Sequence, residues 1–151
     1  MDIIRRNTDY ALRIMVDLAA HAGDGAISAR QLAEQGRISY ELTCKLLQRL
    51  QKAGLVKSAM GPKGGWMLLK NPARITLKKI VDTIQGPLRL NQCVLGVKSC
   101  PAQPGCPVSR KLVVLQRQID EYFAGITLAE LATAKAKLKK GRKTTRRRKQ
   151  K

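Results

Sequence analysis

Among its 151 residues the chain has a single histidine, and it contains no P-loop, no dinucleotide fingerprint and no nucleophile–base pair. General acid–base chemistry at neutral pH leans on imidazole, so this inventory excludes the common enzyme classes, leaving at most a metalloenzyme or electron carrier as a rival from that side. No uninterrupted apolar run approaches the roughly 18 to 20 residues that span a bilayer, and the opening "MDIIRRNTDY" lacks an apolar signal-peptide segment. A cytoplasmic protein with no membrane partner is expected. There disulfides are disfavoured, and clustered cysteines bind metal or do redox chemistry.

Acidic residues are also few, 10 against 30 Lys and Arg, for a formal charge of +20. Charge so far from zero points to a polyanionic partner. Residues 139–151, "KKGRKTTRRRKQK", hold nine basic residues and no acid, so the remainder carries +20 less nine, +11. That remainder is basic enough to bind nucleic acid without the tail, which reads as a disordered arm. Aromatics are only 3% of the chain, and Ala, Leu, Lys, Arg and Gln dominate. Such a composition favours helices.

The periodicity bears this out. Tyr10, Ala11, Ile14, Met15, Leu18, Ala19 and Ala22 form one apolar stripe at helical spacing, with Asn7 or Thr8 as the expected N-cap and Gly23 as the stop. Ser28-Ala-Arg-Gln31 is a capping box that opens a two-turn helix ending at Gly36. Ser39 caps a third helix through Ala53, with Thr43, Leu46, Leu47 and Leu50 as its stripe and Gly54 as terminator. A two-turn helix, a short break and a longer helix outline a helix-turn-helix. "LVKSA" (55–59) and "WMLLK" (66–70) read as strands joined by "MGPKGG", a hairpin with a basic tip. Thr76 caps a further helix with the stripe Leu77, Ile80, Val81 and Ile84, ending at Gly86-Pro87.

"CVLGVKSCPAQPGCP" (93–107) then holds three of the four cysteines. Their C-x6-C-x5-C spacing lacks the tight C-x2-C pairs of zinc sites, and His21 is far away in sequence. A disulfide would leave one thiol over. An iron-sulfur cluster suits three soft ligands in one loop, and the prolines after Cys100 and Cys106 are in keeping with it. Beyond the loop, Val108, Leu112, Leu115, Ile119, Tyr122 and Phe123 mark a long amphipathic helix whose stripe needs a partner, so it reads as a dimerisation helix. Thr127-Leu-Ala-Glu130 is another capping box, opening a last helix.

Taken in order, "TDYALRIMVDLA", "QLAEQGRISYELTCKLLQRLQKAGLVKS", "GPKGGWMLLKNPARITLKKIVDTIQG", the three-cysteine loop and "ITLAEL" resemble the IscR/NsrR group of bacterial dimeric winged-helix regulators, over residues 3 to 132. The resemblance implies a homodimer, a pseudo-palindromic double-stranded DNA operator and an iron-sulfur cluster on Cys93, Cys100 and Cys106. In one branch of that family a His three residues after the last Cys completes a 2Fe-2S site, but Ser109 stands there. In the nitric-oxide-sensing branch an Asp from the other subunit ligates a 4Fe-4S cluster, and Asp9 in "TDYALR" matches it. A 4Fe-4S cluster is therefore favoured over 2Fe-2S. Asp9 has a second reading, as an acid placed in a helix's first turn by the dipole.

A recognition helix enters the major groove N-terminus first. The DNA-contact candidates are Ser28, Ser39, Tyr40, Thr43, Cys44, Lys45 and Gln48, with Arg49 and Lys52 on phosphates and Lys63 and Gly64 at the wing. Relatives that carry Glu at the position of Cys44 use it to discriminate between operators. Cys44 departs from that pattern, and a semi-exposed filler is its other reading.

The expected architecture is mostly α, a winged helix-turn-helix domain with a small β-hairpin wing and a long C-terminal dimerisation helix. Its expected divisions are 1–87 for DNA binding, 88–107 for the cluster loop, 108–138 for the dimerisation and last helices, and 139–151 for the tail. The expected function is a DNA-binding transcriptional regulator, a repressor, controlled by an iron-sulfur cluster that senses nitric oxide, redox state or cluster status. A cluster-free or zinc-binding regulator and a non-specific architectural DNA binder are the alternatives.

Overall fold

A computed structural model describes residues 3–62, 64–95 and 100–148, with side chains described to residue 138. Among the described residues six α-helices and one two-stranded sheet follow in order: α1 (Arg6–Ala20), α2 (Ala29–Gly36), α3 (Tyr40–Lys52), β1 (Val56–Ala59), β2 (Gly65–Leu68), α4 (Leu77–Gln85), α5 (Pro107–Gly125) and α6 (Leu128–Arg148). This is the mostly helical winged-helix order expected from the sequence.

The short helices begin where the sequence supplies side-chain caps. Ser28 and Gln31 form the reciprocal box at α2, Ser39 accepts from the Leu42 N–H at α3, and Thr76 accepts from the Lys79 N–H at α4. Each cap satisfies a donor that the helix cannot, worth about 1 kcal/mol. α1 differs from expectation. Its N-cap is Arg5, with no side-chain cap bond, and Thr8 lies inside the helix, fully buried, with its hydroxyl donating to Gln85 Oε1 at 2.7 Å. Tertiary contact has taken the hydroxyl that local pattern assigned to capping. The helix also stops three residues before Gly23, where the His21 Nδ1–H donates to the Asp17 carbonyl at 2.8 Å. Ala22, expected in the apolar stripe, is exposed.

Ile14, Met15 and Leu18 of α1, Leu32 of α2, Leu46, Leu47 and Leu50 of α3, Leu55 before β1, and Ile80 and Ile84 of α4 make one core. Burial of each such side chain is worth about 1.5–3 kcal/mol, so the core outweighs the caps. Leu128 and Ala132 of α6 belong to it as well. The chain returns after α5 to set the Leu77 N–H on the Ile126 carbonyl (2.9 Å) and the Leu128 N–H on the Ile75 carbonyl (2.8 Å). Buried Asp17 of α1 pairs with Lys135 of α6. The core thus crosses the division expected at residue 87.

α5 stands apart from that core. The side chains it buries are polar, Ser109 and Gln116, whereas Val108, Val114, Leu115 and Tyr122 are exposed. The backbone of α6 continues as helix to Arg148, into the basic stretch expected as a disordered arm. Among the described residues, no helix is long and apolar enough to cross a membrane.

Candidate nucleic-acid interface and cysteine loop

The face that α3 turns outward follows from the face it buries. With Leu46, Leu47 and Leu50 in the core, Tyr40, Glu41, Lys45, Gln48, Arg49 and Lys52 are left exposed. Thr43 is corrected from the DNA-contact set: it is fully buried, and its hydroxyl donates back to the Ser39 carbonyl at 3.0 Å. It falls on the same face as Leu46, Leu47 and Leu50, one turn earlier, which closes it to solvent.

Lys45 Nζ lies 2.7 Å from Glu41, and the resulting hydrogen bond and charge hold the Glu41 carboxyl below its usual range. Both side chains are solvent-exposed, and such pairs are weak enough for Lys45 to exchange its partner for a phosphate or a guanine edge. Cys44 is half-buried one turn after Tyr40. A hydrogen bond with Cys44, followed by electrostatic interaction with the same side chain, pushes the Tyr40 phenol above its ordinary value, while the charge of Arg30, 5.8 Å over the ring, opposes the shift.

Arg49 does more than face solvent. Its Nη2 donates to the Ile84 carbonyl at 2.7 Å, which occupies part of the guanidinium and ties α3 to the end of α4. The rest of the side chain lines a groove of about 350 Å³ with Asn7, Leu42, Lys45, Gln48 and Lys52.

The wing is an antiparallel pair running from Val56↔Leu68 to Ala59↔Gly65. Trp66 adds a bridge to Ile27, its N–H donating at 2.8 Å to the Ile27 carbonyl and its carbonyl accepting at 3.0 Å. A Cβ at Gly64 would lie 2.4 Å from the Ala59 carbonyl oxygen, so the close approach that requires glycine there is to the hairpin's own backbone. Lys63 lies outside the described residues. Ser28 hydroxyl accepts from the Gln31 N–H (3.2 Å) and donates to Gln31 Oε1 (2.9 Å), so its first task is starting α2.

Cys93, Cys100 and Cys106 are free thiols, each partly exposed. Cys93 sits in a 3-10 turn, Gln92–Leu95, and Cys106 is the N-cap residue of α5. Gln103 Nε2 donates across the loop to the Cys93 carbonyl at 3.1 Å. Among the described residues no three His, Cys, Asp or Glu side chains gather into a group that could hold a metal ion. Asp9, on the first turn of α1, is instead paired with Arg13 at 2.7 Å. Ser109, in the position where one branch of the resembled family has histidine, is buried in the first turn of α5. The donor set, three soft thiols in one irregular loop, fits cluster chemistry. Among the described residues one protomer by itself does not gather all three into such a group.

Two positioning residues escaped the sequence reading. Gln116 Nε2 donates to the Leu88 carbonyl and its Oε1 accepts from the Leu90 N–H, both at 3.0 Å, pinning the entrance of the cysteine loop to α5. Its signal was a polar residue in line with Leu112 and Ile119 on an apolar stripe. Gln85 accepts from the Arg5 N–H (2.9 Å) and from Thr8, and donates to the Ile3 carbonyl (3.0 Å). Nothing local marks it.

The profile of the Rrf2 family, described as iron-dependent transcriptional regulators, matches residues 4–134. A helix-turn-helix-type transcriptional regulator of Azotobacter vinelandii is 32% identical over 122 residues, covering 81% of this chain and 74% of that protein. IscR of Yersinia pestis is 31% identical over 122 residues, with the same coverage of 81% and 74%. CymR, the global cysteine regulator of B. subtilis, superposes with a TM-score of 0.74 at 28% identity, over 89% of this chain and 98% of its own. T. potens IscR gives 0.70 at 28% identity, over 87% and 86%. These relatives are regulators rather than enzymes. A winged helix with an outward-facing basic recognition helix, matched over nearly its whole folded length, places this chain in the Rrf2 family of DNA-binding transcriptional regulators.

Proposed function

We propose that the chain acts in the cytoplasm as a homodimeric repressor whose hold on a pseudo-palindromic DNA operator is set by an iron-sulfur cluster at Cys93, Cys100 and Cys106. The exposed outer face of α3, with Lys45, Gln48, Arg49 and Lys52 around one groove, is the observation that carries the DNA-binding half. Tyr40 and Ser39 stand at the end that enters a major groove first, and Lys63 and Gly64 belong to the wing that follows the backbone. The exposed Val108, Val114, Leu115 and Tyr122 of α5 support a second copy as the partner, since an apolar face of this kind is covered in a stable assembly. A two-fold dimer reads two half-sites about one helical turn apart.

For the sensing half, the three thiols are the soft ligands and Asp9 of the other copy supplies the fourth, releasing Arg13 to do so. When bound, the cluster supplies a centre that nitric oxide, oxygen or iron loss alters, and the carboxylate, a hard ligand, is its weak point. Ser109, buried in the first turn of α5, supports a 4Fe-4S cluster over the histidine-ligated 2Fe-2S form. The test is anaerobic purification with iron and sulfide counted per subunit, together with operator selection from a random duplex library. About four iron and four sulfide in each subunit, lost in Cys100→Ser, supports the cluster.

A second reading has its own observation: the three thiols are free and ungathered in the protomer. Under it the loop senses by thiol chemistry without metal. Metal-free protein whose DNA affinity still responds to thiol oxidation selects this reading.

A further inference from the structure

We infer that Arg5, Arg6 and Arg89 form a second phosphate-binding cleft beside the recognition helix, taking the backbone of the same DNA duplex. This rests on the DNA-binding reading above and extends its footprint to residues outside the helix-turn-helix and wing.

A cleft of about 740 Å³ opens between the segment that leads into α1 and the segment that leaves α4. Among the described residues its charged lining consists of three arginines, Arg5 and Arg6 on one wall and Arg89 on the other, with no acidic residue. All three are exposed, and none takes part in an ion pair among the described residues. Asp120 feels the charge of Arg89, but its carboxylate is occupied by Lys78 at 2.8 Å and Gln116 at 3.2 Å. Three like charges around one cleft repel each other, and an anion relieves that repulsion.

Both walls are held in place. Gln85 binds the backbone at Ile3 and Arg5 and the hydroxyl of Thr8, fixing the segment that carries Arg5 and Arg6. Gln116 binds the backbone on either side of Arg89, at Leu88 and Leu90. Side chains on a rigid backbone lose less entropy when they close on a ligand, and the planar guanidinium fork matches phosphate oxygens.

Continuity with the recognition surface favours a duplex backbone over a free anion. Asn7, next to Arg6, lines the α3 groove with Lys45, Gln48 and Lys52, and Arg49 is bonded to Ile84, next to Gln85. The two basic surfaces meet at the start of α1 and the end of α4, so a phosphate chain leaving one enters the other. The wall that carries Arg89 leads directly into the cysteine loop at Cys93.

The test compares the full-length protein with the triple variant Arg5→Gln, Arg6→Gln, Arg89→Gln by fluorescence anisotropy on a random-sequence DNA duplex over a range of salt. Each lost phosphate contact lowers the slope of log K against log salt by about 0.9, so a drop of about two to three units is expected, with Arg→Lys at the same positions retaining most of the slope. A slope changed by less than about half a unit overturns the cleft. Wild-type protein that shows no salt-dependent binding overturns the DNA-binding reading itself. Thermal denaturation checks that the triple variant is folded. Should it not fold, Arg89→Gln alone carries the test, with a drop of about one unit expected and no drop overturning the proposal.

Discussion

Arg49 Nη2 donates to the Ile84 carbonyl at 2.7 Å, joining the recognition helix to the last turn of the helix that leads into the cysteine loop. The acceptor is among the carbonyls that a helix C-terminus leaves without an intrahelical partner, and a cation there also meets the negative end of the α4 dipole. The neighbouring residue, Gln85, holds the start of α1. One turn of α4 therefore sets the position of the recognition helix and of the segment carrying Asp9.

Replacing Arg49 with Met keeps its apolar stem and removes this tie. A loss of about 1 kcal/mol is expected in urea denaturation, together with weaker DNA binding, because the orientation of α3 loosens as a phosphate ligand is lost.

Asp17 is buried beneath Lys135, whose side chain is partly exposed. Lys135→Met strands a buried carboxylate and should destabilise by about 3 kcal/mol, more than Asp17→Asn, which leaves a lysine able to reach water. Combining the two changes should restore part of the loss, and a double-mutant cycle from denaturation midpoints measures the coupling.

The α4–α5 tie through Lys78 and Asp120 should hold over a defined pH window. The hydrogen bond from Lys78 lowers the Asp120 carboxyl, so the tie's stabilisation is present above the unfolded Asp value of about 3.9 and is lost as pH falls through the lower folded value. The hydrogen bond to Asp120 raises Lys78, so its contribution is intact below about 10.4 and fades as pH rises through the higher folded value. Melting curves of wild type and Asp120→Asn should differ at neutral pH and converge in strong acid.

Gly64→Ala forces a methyl group against the Ala59 carbonyl, and the backbone oxygen cannot step aside as a flexible side chain would. The hairpin should open or shift, at a cost of about 1–3 kcal/mol. Hydrogen exchange of the β1–β2 amides should rise, and DNA affinity should fall with it.

Gln116→Leu leaves the Leu88 carbonyl and the Leu90 N–H without their partner, which costs about 1–3 kcal/mol where water cannot replace it. The cysteine-loop entrance then loosens. Alkylation of Cys93 should be faster than in wild type while Cys44 reacts at an unchanged rate.

Short-range patterns determined the helix-turn-helix, the wing, the capped starts of α2, α3 and α4, and the basic face of α3. Each depends on residues only a few positions apart: Ser28 with Gln31, Ser39 with Leu42, and Leu46, Leu47 and Leu50 on one side of one helix. Those signals survive folding because the backbone geometry that creates them is the same in any tertiary context. Motif order supplied the family and, with it, the expectation for the cysteines. Tertiary structure decided the rest. Thr8 lost its capping role to Gln85, 77 residues away, Arg49 acquired a partner 35 residues away, and α6 returned to seal the core and pair with Asp17. A hydrogen-bonding side chain takes whichever partner the packed chain brings within reach, and no sequence period records which one that is. For the same reason the spacing of three cysteines within fourteen residues limits how far apart they lie, while their meeting depends on the fold of the loop and on what closes over it; among the described residues one protomer alone does not gather them.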